Sequence, residues 1–337
     1  MIYLGFLLYT ALTSTLNAFF TPKLSAYTNA AGVSIIIPAR NEEKTIRKCV
    51  TKALNSHRDC EVIVVDDDSS DATLIEASVN SNVRCIIGKP KPAEWKGKNW
   101  ACWQGYQHAK KDYLLFLDAD TFLEPESVGH MIQTLEHNNL GGLSISPRIK
   151  YASISERIAT STMQWFLLSV WPLYASNINW LNRIGSGPCF LLTRAAYEEI
   201  GGHKVVNDAA IEDMALASKL VDNKIPYRLI ISDKVVSSLY QSYTRSVTGM
   251  SRSLRRAPPI FRICLVVIPL VFLLGLGSIQ GFIFVLANRL MVAYKLGEGP
   301  KGILFHPLQM ITFLHIIYLS FTDVSKFWKG RNLEGNT

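Results

Sequence analysis

Charged residues are scarce in this sequence, and their absence is concentrated in three places. Of the 337 residues, only 18% are Asp, Glu, Lys or Arg, against roughly 25% in a typical soluble domain. Residues 1–22, 263–288 and 302–322 contain none of these four residue types. Each stretch is long enough to cross the hydrocarbon core of a bilayer, which needs about 20 apolar residues. The pattern argues against a purely soluble protein and predicts membrane-spanning helices in the N-terminal and C-terminal regions.

Motifs for metal clusters and for repeat architectures are also missing. The six cysteines form no CxxC pair and no metal-ligand spacing, which argues against a zinc module or a disulfide scaffold and indicates a reducing compartment. No internal repeat or low-complexity tract is present, and a hydrophobic content of 48% excludes a disordered chain. With these classes of protein excluded, the sequence is best explained by a folded domain flanked by membrane segments.

Positive charge is in excess, with a formal net charge of +8. Part of the excess is an arginine cluster directly before the second uncharged stretch. Its members are Arg245, Arg252, Arg255, Arg256 and Arg262. Nucleic-acid binding is one interpretation, but no aromatic-basic motif accompanies the cluster. A cytosolic flank beside anionic headgroups explains it better, and Lys23 after the first stretch gives the same orientation.

These features predict a multi-pass protein of the plasma membrane with a cytosolic domain. The predicted segments are a transmembrane helix over 1–22, a cytosolic domain over 30–255, transmembrane helices over 260–322 and a cytosolic tail over 323–337. A cleaved signal peptide is disfavoured because no basic residue precedes the first apolar stretch. Within the domain, segment 155–181 is interrupted by Pro172 and predicts a helix at the membrane surface. Gly275, Gly277 and Gly281 leave open a split of the stretch 263–288 into a hairpin.

Between the membrane segments, short apolar runs alternate with helical periodicity. The runs are VSIII (33–37), EVIVV (61–65), VRCII (83–87), YLLFL (113–117) and GLSIS (142–146). Near-continuous apolar runs are typical of strands buried on both faces. Residues 46–54 show the apolar spacing of a helix, which Asn41 is placed to cap. The alternation predicts an α/β fold with a mainly parallel sheet flanked by helices.

Acidic side chains directly follow two of the predicted strands. They are Asp66, Asp67 and Asp68 after EVIVV, and Asp118 and Asp120 after YLLFL. Ligands of open parallel sheets bind beyond the carboxyl ends of the strands. Two carboxylates at alternate positions suit Mg²⁺ or Mn²⁺, with substrate phosphates completing the coordination shell. For Asp68 and Asp71, capping of the following helix is the favoured alternative.

Three motifs, in this order, resemble the nucleotide-sugar-binding half of the family 2 glycosyltransferases, which have the GT-A fold. They are VSIIIPARNEE (33–43), VVDDDSSDAT (64–73) and FLDAD (116–120). The donor-binding residues that the resemblance implies are Pro38, Ala39, Glu42, Asp66, Asp67 and Asp118. It also implies that Asp120 binds Mg²⁺ or Mn²⁺ together with the donor diphosphate. Asp68 stands where the family usually has glycine.

Further segments are similar to the membrane-bound branch of this family that is linked to hopanoid and carotenoid (diaponeurosporenoate) glycosylation. They are WKGKNWACWQG (95–105), GSGPCFLLTR (185–194), IGGHKVVNDAAIEDMALASKL (200–220) and WKGR (328–331). The similarity implies Lys98 as a phosphate contact, Gly187 in the sugar pocket, Asp213 as the catalytic base, and Glu212, His203 and Arg252 on the acceptor side. The QxxRW motif of processive polysaccharide synthases is not reproduced at 241–245, which argues against polymer synthesis.

The resemblance implies a membrane-anchored, metal-dependent, inverting glycosyltransferase. It would move a sugar from a UDP- or GDP-sugar to a lipid acceptor of isoprenoid type, with no nucleic-acid partner. Two alternatives stay open, a polyprenyl-phosphate glycosyltransferase and a non-catalytic membrane scaffold that retains the fold. Lys98 and His203 can also be ordinary loop residues, and Asp213 can serve only the N-terminus of its helix.

Overall fold

A computed structural model describes most of the chain. The described residues are 1–26, 31–175, 183–209, 211–238, 242–255, 259–322, 327–328 and 331–332. Several sequence predictions fall outside them, namely most of the tail 323–337, the end of the surface helix at 176–181, Gln241 and Arg256.

The chain folds into two units, each assembled from separate stretches. The α/β unit comprises Pro22–Lys150 and Ser176–Ser238, and the helical unit comprises Met1–Thr21, Tyr151–Ala175 and Leu239–Thr337. This division differs from the single domain over 30–255 that the sequence predicts. Residues 151–175 and 239–255 belong to the helical unit instead.

An eight-stranded mixed sheet forms the centre of the α/β unit. Its strands are β1 Val33–Ala39, β2 Cys60–Asp66, β3 Val83–Ile87, β4 Tyr113–Leu117, β5 Thr121–Leu123, β6 Gly142–Ile149, β7 Cys189–Thr193 and β8 Tyr227–Ser237. The order is β3-β2-β1-β4-β7-β6-β8-β5. Strands β3, β2, β1 and β4 are parallel, as are β6 and β8, whereas β7 and β5 run antiparallel to their neighbours. All five predicted strands are present, and the α/β fold is confirmed.

Strands β1, β2 and β4 end at the same edge of the sheet. The register pairs Ala39 of β1 with Asp66 of β2, and Ile36 of β1 with Phe116 of β4. The backbone N–H of Asp67 donates to the carbonyl oxygen of Ala39 at 2.8 Å, which extends this pairing past the strands. The segments that follow the three strands therefore lie side by side.

Helices occur in both units and are numbered in chain order. They are α1 Ile2–Phe20, α2 Ile46–Leu54, α3 Thr73–Ala77, α4 Gly97–His108, α5 Ser127–His137, α6 Ile154–Val170, α7 Arg194–Glu199, α8 Glu212–Asp222, α9 Tyr243–Arg255, α10 Pro259–Leu265, α11 Val267–Gly275, α12 Ile279–Leu296, α13 Pro300–Leu304 and α14 His306–Leu319. Short two-residue strands at Phe327–Trp328 and Arg331–Asn332 pair with each other.

Two helices of the α/β unit differ from the sequence predictions. Helix α2 forms where expected, but it begins after Thr45, and Asn41 does not cap it. Asn41 has a φ of 52°, and its side-chain oxygen accepts a hydrogen bond from the backbone N–H of Ser70 at 2.9 Å. The segment 95–105, in which an ordinary loop position was one alternative for Lys98, largely lies in α4. Its apolar residues lack a helical period, so the sequence pattern contained no helix signal.

The helical unit contains two helices with the length and composition of membrane spans among the described residues. They are α1, with 19 residues, and α12, with 18 residues. The predicted stretch 263–288 is divided, because α11 ends at Gly275 and α12 begins at Ile279. A Cβ on Gly281 would lie 2.5 Å from the carbonyl oxygen of Gly275. The first turn of α12 can therefore approach the end of α11 this closely only because residue 281 is glycine.

The last predicted span, over 302–322, is also divided in the structure. Its residues lie in α13 and α14, and a proline in the first turn of α14 marks the new helix start. With 14 residues, α14 is shorter than the roughly 20 that a straight crossing needs.

Helix α6 packs with α1 and α12 through buried hydrogen bonds. The Asn17 side-chain amide donates to the carbonyl oxygens of Leu168 at 2.9 Å and Trp171 at 2.7 Å. The indole N–H of Trp165 donates to the Asn288 side-chain oxygen at 2.8 Å. Such polar contacts are costly to leave unmade in an apolar interior, which explains why residues 151–175 join the terminal segments.

Candidate active site

The segment after β4 is a turn that carries two aspartates. The backbone N–H of Asp118 donates to the carbonyl oxygen of Pro188 at 3.0 Å, and the N–H of Thr121 donates to the carbonyl oxygen of Asp118 at 2.9 Å. Asp118 and Asp120 therefore do not occupy alternate positions of a strand, as the sequence argument assumed. The turn gives the two carboxylates different surroundings.

Lys98 is held between two carboxylates. It is the second residue of α4, and its Nζ lies 2.6 Å from Asp118 Oδ1 and 2.6 Å from Glu212 Oε1. Burial lowers the pKa of Lys98, but attraction to Asp118 and Glu212 outweighs burial and raises the pKa well above its ordinary value. Burial raises the pKa of Asp118 against the opposing effect of Lys98. For Glu212 burial acts in the same direction, but attraction to Lys98 outweighs it and the pKa is lowered.

Asp213 lies beside this cluster and differs from Glu212 in acidity. It is the second residue of α8, and its Oδ1 accepts a hydrogen bond from the backbone N–H of Met214 at 2.8 Å. Burial, followed by repulsion from Glu212, raises the pKa of Asp213 to about 6 despite the attraction of Lys98. A carboxylate with a pKa close to the working pH has the protonation behaviour that a general base needs.

Two glycines let a neighbouring backbone segment approach Asp213 closely. A Cβ on Gly185 would overlap the carbonyl oxygen of Asp213. A Cβ on Gly187 would lie 3.2 Å from Asp213 Oδ2 and 3.5 Å from Lys98 Nζ. Gly187 is thus part of the same group of residues as Lys98, Asp118, Glu212 and Asp213.

Tyr227 of β8 holds this glycine segment in place. Its hydroxyl donates to the carbonyl oxygen of Ile184 at 2.9 Å and lies 2.7 Å from the hydroxyl of Ser144. Ser144 in turn accepts a hydrogen bond from the backbone N–H of Ser186 at 3.1 Å. Tyr227 and Ser144 have no signal in the sequence, since nothing in a strand pattern separates them from ordinary buried polar residues.

A cavity of only about 10 Å³ lies among these side chains, and Pro38 and His203 contribute to its walls. This volume is about what one water molecule needs. His203 is 1% exposed, and its Nδ1 lies 2.8 Å from the Tyr197 hydroxyl. Burial lowers the pKa of His203 to about 3, so the ring is neutral. His203 therefore packs in the wall behind the carboxylates.

The ends of β1 and β2 form a second group, which contains a buried acceptor. Asp66 is 6% exposed, and its Oδ1 has no hydrogen-bond partner among the described residues. Its Oδ2 accepts from the backbone N–H of Ser69 at 3.3 Å. Beside it, Arg40 Nη1 donates to the carbonyl oxygen of Asp67 at 2.5 Å, and Ala39 is buried. Buried polar atoms are normally satisfied, so Asp66 Oδ1 is suited to accept a hydrogen bond from a ligand.

The remaining acidic residues near β2 have structural partners. Asp71 accepts a hydrogen bond from the backbone N–H of Thr73 at 3.0 Å, at the start of α3. Asp68 has a φ of 60° and forms an ion pair with Arg40 at 3.3 Å. Asp71 therefore contacts the start of α3 without being its N-cap, which is Ala72, and Asp68 pairs with Arg40.

Three carboxylates accumulate negative charge around the buried thiol of Cys49. Burial, followed by repulsion from Asp120, Asp118 and Glu42, raises the pKa of Cys49 well above its ordinary value. No group of three or more His, Cys, Asp or Glu side chains is arranged to hold a metal ion within the described ranges. Carboxylate oxygens and local negative charge nevertheless fit Mg²⁺ or Mn²⁺, provided that phosphate and water supply the other ligands.

The structure also identifies a positioning residue that the sequence did not. Asn99 is 1% exposed, and its side-chain amide donates to the carbonyl oxygens of Val206 at 2.7 Å, Asn207 at 3.1 Å and Ala209 at 2.9 Å. It ties α4 to the segment before α8, and so ties Lys98 to Glu212. Arg252 lies on α9, which belongs to the helical unit and not to the α/β unit.

Comparison with known proteins gives a family match that includes most of the α/β unit and also residues 151–175 of the helical unit. Residues 34–201 match the model of glycosyl transferase family 2. The 4,4'-diaponeurosporenoate glycosyltransferase of Staphylococcus aureus strain MRSA252 is 30% identical over 200 residues, which are 59% of this chain and 53% of that protein. Its counterpart in strain USA300 is 30% identical over 201 residues. The chain thus spans about half the length of the curated relatives it matches.

A solved structure shares the fold over nearly the whole chain. A mannosyltransferase from Pyrobaculum calidifontis, in complex with GDP-Man and Mn²⁺, superimposes with a TM-score of 0.58. The match covers 96% of this chain and 96% of that chain, with 17% sequence identity. At this identity the likeness concerns the fold, which is of the GT-A type.

Proposed function

The chain belongs to family 2 of the glycosyltransferases through its domain over residues 34–201, and from this we propose that it transfers a sugar from a nucleotide sugar to a lipid acceptor, with inversion at the anomeric carbon. The observation that carries the proposal is the placement of Asp213. A carboxylate with a raised pKa lies next to Lys98, which contacts both Asp118 and Glu212. The base and the donor-binding carboxylates thus belong to one unit.

The donor is a UDP- or GDP-sugar bound at the ends of β1, β2 and β4. The unpartnered Oδ1 of Asp66 accepts a hydrogen bond from the base or ribose, beside Ala39, Glu42 and Asp67. The mannosyltransferase that shares the fold was solved with GDP-Man, which supports a nucleotide sugar as the class of donor. In the described structure Lys98 bridges Asp118 and Glu212. We infer that its side chain turns towards the diphosphate when the donor binds.

A divalent cation, Mg²⁺ or Mn²⁺, is held by Asp120, with Asp118 close by. When bound, it supplies charge neutralisation for the leaving diphosphate. The negative charge that Glu42, Asp118 and Asp120 concentrate around Cys49 supports a cation here. The Mn²⁺ in the mannosyltransferase complex supports the same class of ion.

Asp213 acts as the general base. It removes the proton from an acceptor hydroxyl while that oxygen attacks the anomeric carbon and the bond to the nucleoside diphosphate breaks. The transition state has oxocarbenium character, as in other glycosyl chemistry. If the acceptor is a carboxylate, no proton needs removal, and Asp213 then orients the acceptor.

The acceptor is a lipid at the membrane. The curated relatives are named for a carotenoid acid, and α1 and α12 have the length and composition of membrane spans. Glu212 is the proposed acceptor-side residue of the α/β unit, Arg252 is proposed separately in the helical unit, and Gly187 is proposed to line the sugar pocket of the donor. The positive charges at Lys23 and in the arginine cluster favour a cytosolic position for the α/β unit.

The proposal is tested by incubating the purified full-length protein with UDP- and GDP-sugars, Mg²⁺ or Mn²⁺, and membrane lipids, followed by mass spectrometry of the lipids. A hexose added to an isoprenoid hydroxyl or carboxylate is the expected product. A sugar phosphate of a polyprenol would instead identify a polyprenyl-phosphate glycosyltransferase. No transfer, together with nucleotide-sugar binding, would favour a scaffold.

The base assignment is tested by Asp213→Asn. Turnover should fall by at least about a hundredfold, the low end of what a general base contributes, while donor affinity stays close to that of the wild type. Asp222→Asn is a matched control, because Asp222 ends the same helix and pairs with Arg183 at 2.8 Å. Normal turnover of Asp213→Asn would reject the base role and point to a carboxylate acceptor. Weakened donor binding would place Asp213 at the diphosphate.

A further inference from the structure

The helical unit contains a buried group of charged side chains that the proposed reaction does not use. Arg289 of α12 is 1% exposed, and its Nη2 lies 3.5 Å from Oε2 of Glu298. The Tyr151 hydroxyl donates to Glu298 Oε1 at 3.5 Å. Arg157 of α6 donates to the backbone carbonyl oxygen of Glu298, and its guanidinium lies 5.7 Å from the Tyr151 ring centre. These four residues are called the Arg289 cluster below.

The donors of the Arg289 cluster are not matched by the acceptors around them. Arg289 Nε and Nη1 and Arg157 Nε have no hydrogen-bond partner among the described residues. Glu298 Oε2 likewise accepts no hydrogen bond there. Both contacts to the Glu298 carboxylate are 3.5 Å long, whereas charge-assisted N–H···O bonds are usually about 2.7–2.9 Å. The carboxylate of Glu298 therefore lies among these donors but leaves several of their N–H groups without a hydrogen bond.

The guanidinium groups also lack close carboxylate contacts. Two of them share the one carboxylate of the cluster, and the buried carboxylate of the neighbouring Glu156 accepts a hydrogen bond from the backbone N–H of Ala152 at 2.6 Å. A buried, incompletely paired charge is costly in an apolar interior. An added oxyanion, a carboxylate or a phosphate, would offer several acceptor oxygens and a compensating charge.

The backbone of Glu298 lies between two glycines and is held by hydrogen bonds, because its N–H donates to the carbonyl oxygen of Ala293 at 2.9 Å and its carbonyl oxygen accepts from Arg157. Gly297 and Gly299 flank it, with φ of 65° and 64°, and a Cβ at either position would meet nothing within 4 Å. Left-handed glycines in open space allow backbone rotation that other residues resist. The Glu298 side chain can leave the two arginines by rotation about its own bonds, whereas a turn of its backbone would break the hydrogen bonds to Ala293 of α12 and Arg157 of α6.

We propose that Arg289, Arg157 and Tyr151 form a binding site for the oxyanion headgroup of a lipid, and that Glu298 is a resident carboxylate which this headgroup displaces. A lipid is the favoured source because Arg289 lies on a candidate membrane span. The outer face of that helix exposes apolar side chains, among them Phe282, Ile283 and Leu290. A free anion would have to reach the site past apolar surface, while the acyl or isoprenoid chain of a lipid partitions there favourably. Binding at this site does not require the transfer reaction.

The test uses full-length protein in detergent and native mass spectrometry with two lipids of identical chains, anionic phosphatidylglycerol and zwitterionic phosphatidylcholine. Wild type should retain phosphatidylglycerol preferentially. Arg289→Met should lower that retention by at least about tenfold, as expected for loss of a charge-assisted contact. The control is Arg194→Met, which removes a partly buried arginine of the α/β unit, one that donates to the Lys111 carbonyl oxygen at 2.7 Å. It should bind as wild type does.

A second variant keeps the proposal testable if Arg289→Met does not fold. Glu298→Gln leaves both arginines in place and removes the competing carboxylate, so phosphatidylglycerol retention should rise above wild type. Unchanged or reduced retention in Glu298→Gln would overturn the proposal, as would equal retention of the two lipids by wild type. The last measurement compares protection from thermal unfolding by inorganic phosphate with protection by the lipid. Protection from thermal unfolding by phosphate that equals protection by the lipid would overturn the lipid source. None of these readouts depends on glycosyl transfer.

Discussion

Asp213 shows how neighbouring charges set the chemistry of one residue. Its pKa is raised to about 6 by burial and then by the negative charge of Glu212. A general base works as the carboxylate, so kcat/KM should rise with pH through about 6 and level off above it. Glu212→Gln removes the repulsion but keeps Lys98, and should therefore move the rising limb to lower pH. Initial rates of both proteins across the acidic to neutral range measure the shift. An unmoved limb in Glu212→Gln would contradict the electrostatic assignment.

Asp120 is the residue on which metal dependence should rest. With a chelator, donor binding and turnover should be lost, and added Mg²⁺ or Mn²⁺ should restore both. Asp120→Asn should lower turnover by roughly a hundredfold or more, since metal stabilisation of a leaving group is worth several kcal/mol. Asp68→Asn is the control, because the Asp68 side chain is 82% exposed and pairs with Arg40 at 3.3 Å. Isothermal titration with the donor separates binding from turnover. Full activity in the chelator would rule out the metal.

For single residues, the sequence predicted which side chains belong to the site better than it predicted the contacts between them. Asp118, Glu212 and Asp213 follow recognisable motifs, and the structure brings them together. The bridge from Lys98 to both Asp118 and Glu212 was not predictable, because it joins segments that are distant along the chain. Asn99 and Tyr227 had no sequence signal at all, since their importance lies in hydrogen bonds to backbone carbonyl oxygens.

The glycine segment before β7 shows how an element positions the site. A Cβ at Gly185 would overlap the backbone oxygen of Asp213, whereas one at Gly187 would lie 3.2 Å from its carboxylate. Gly185→Ala should therefore destabilise the fold, by about 1–3 kcal/mol as in other overpacked sites. Gly187→Ala should keep the stability and lower turnover, because small displacements of a catalytic group are costly. Thermal unfolding and steady-state rates of the two variants distinguish these effects, and the reverse assignment would contradict them.

Strands were predictable where burial made them apolar throughout, as in β1, β2 and β4. The helix α4 and the strand β8 were not. Helix α4 has no apolar stripe, and β8 mixes buried and half-buried positions along 11 residues. The turn at Asp118–Asp120 was mistaken for the end of a strand, since a sequence run shows where apolar residues stop but not how the backbone continues.

For the whole molecule, the sequence located the apolar stretches but not their grouping. The helical unit includes residues 151–175 as well as the terminal regions. One reason is that Trp165 of α6 donates a hydrogen bond to Asn288 of α12, which is far along the chain. Apolar composition also overestimated helix length in the C-terminal region. Glycines at 275 and 281 and the proline in the first turn of α14 divide those stretches into shorter helices.

For the whole molecule, we predict its orientation in the membrane. Lys23 follows α1, and arginines of α9 and α10 precede the apolar helices, so the positive-inside tendency favours a cytosolic α/β unit. Ser81 is exposed between α3 and β3, and a Ser81→Cys variant offers a thiol there. The exposed Cys264 is first replaced by serine to remove its background. A membrane-impermeant maleimide should leave the introduced thiol unlabelled in intact cells and label it after permeabilisation. Labelling in intact cells would place the α/β unit outside, where no cytosolic nucleotide sugar could reach Asp66, and the donor assignment would fail with the orientation.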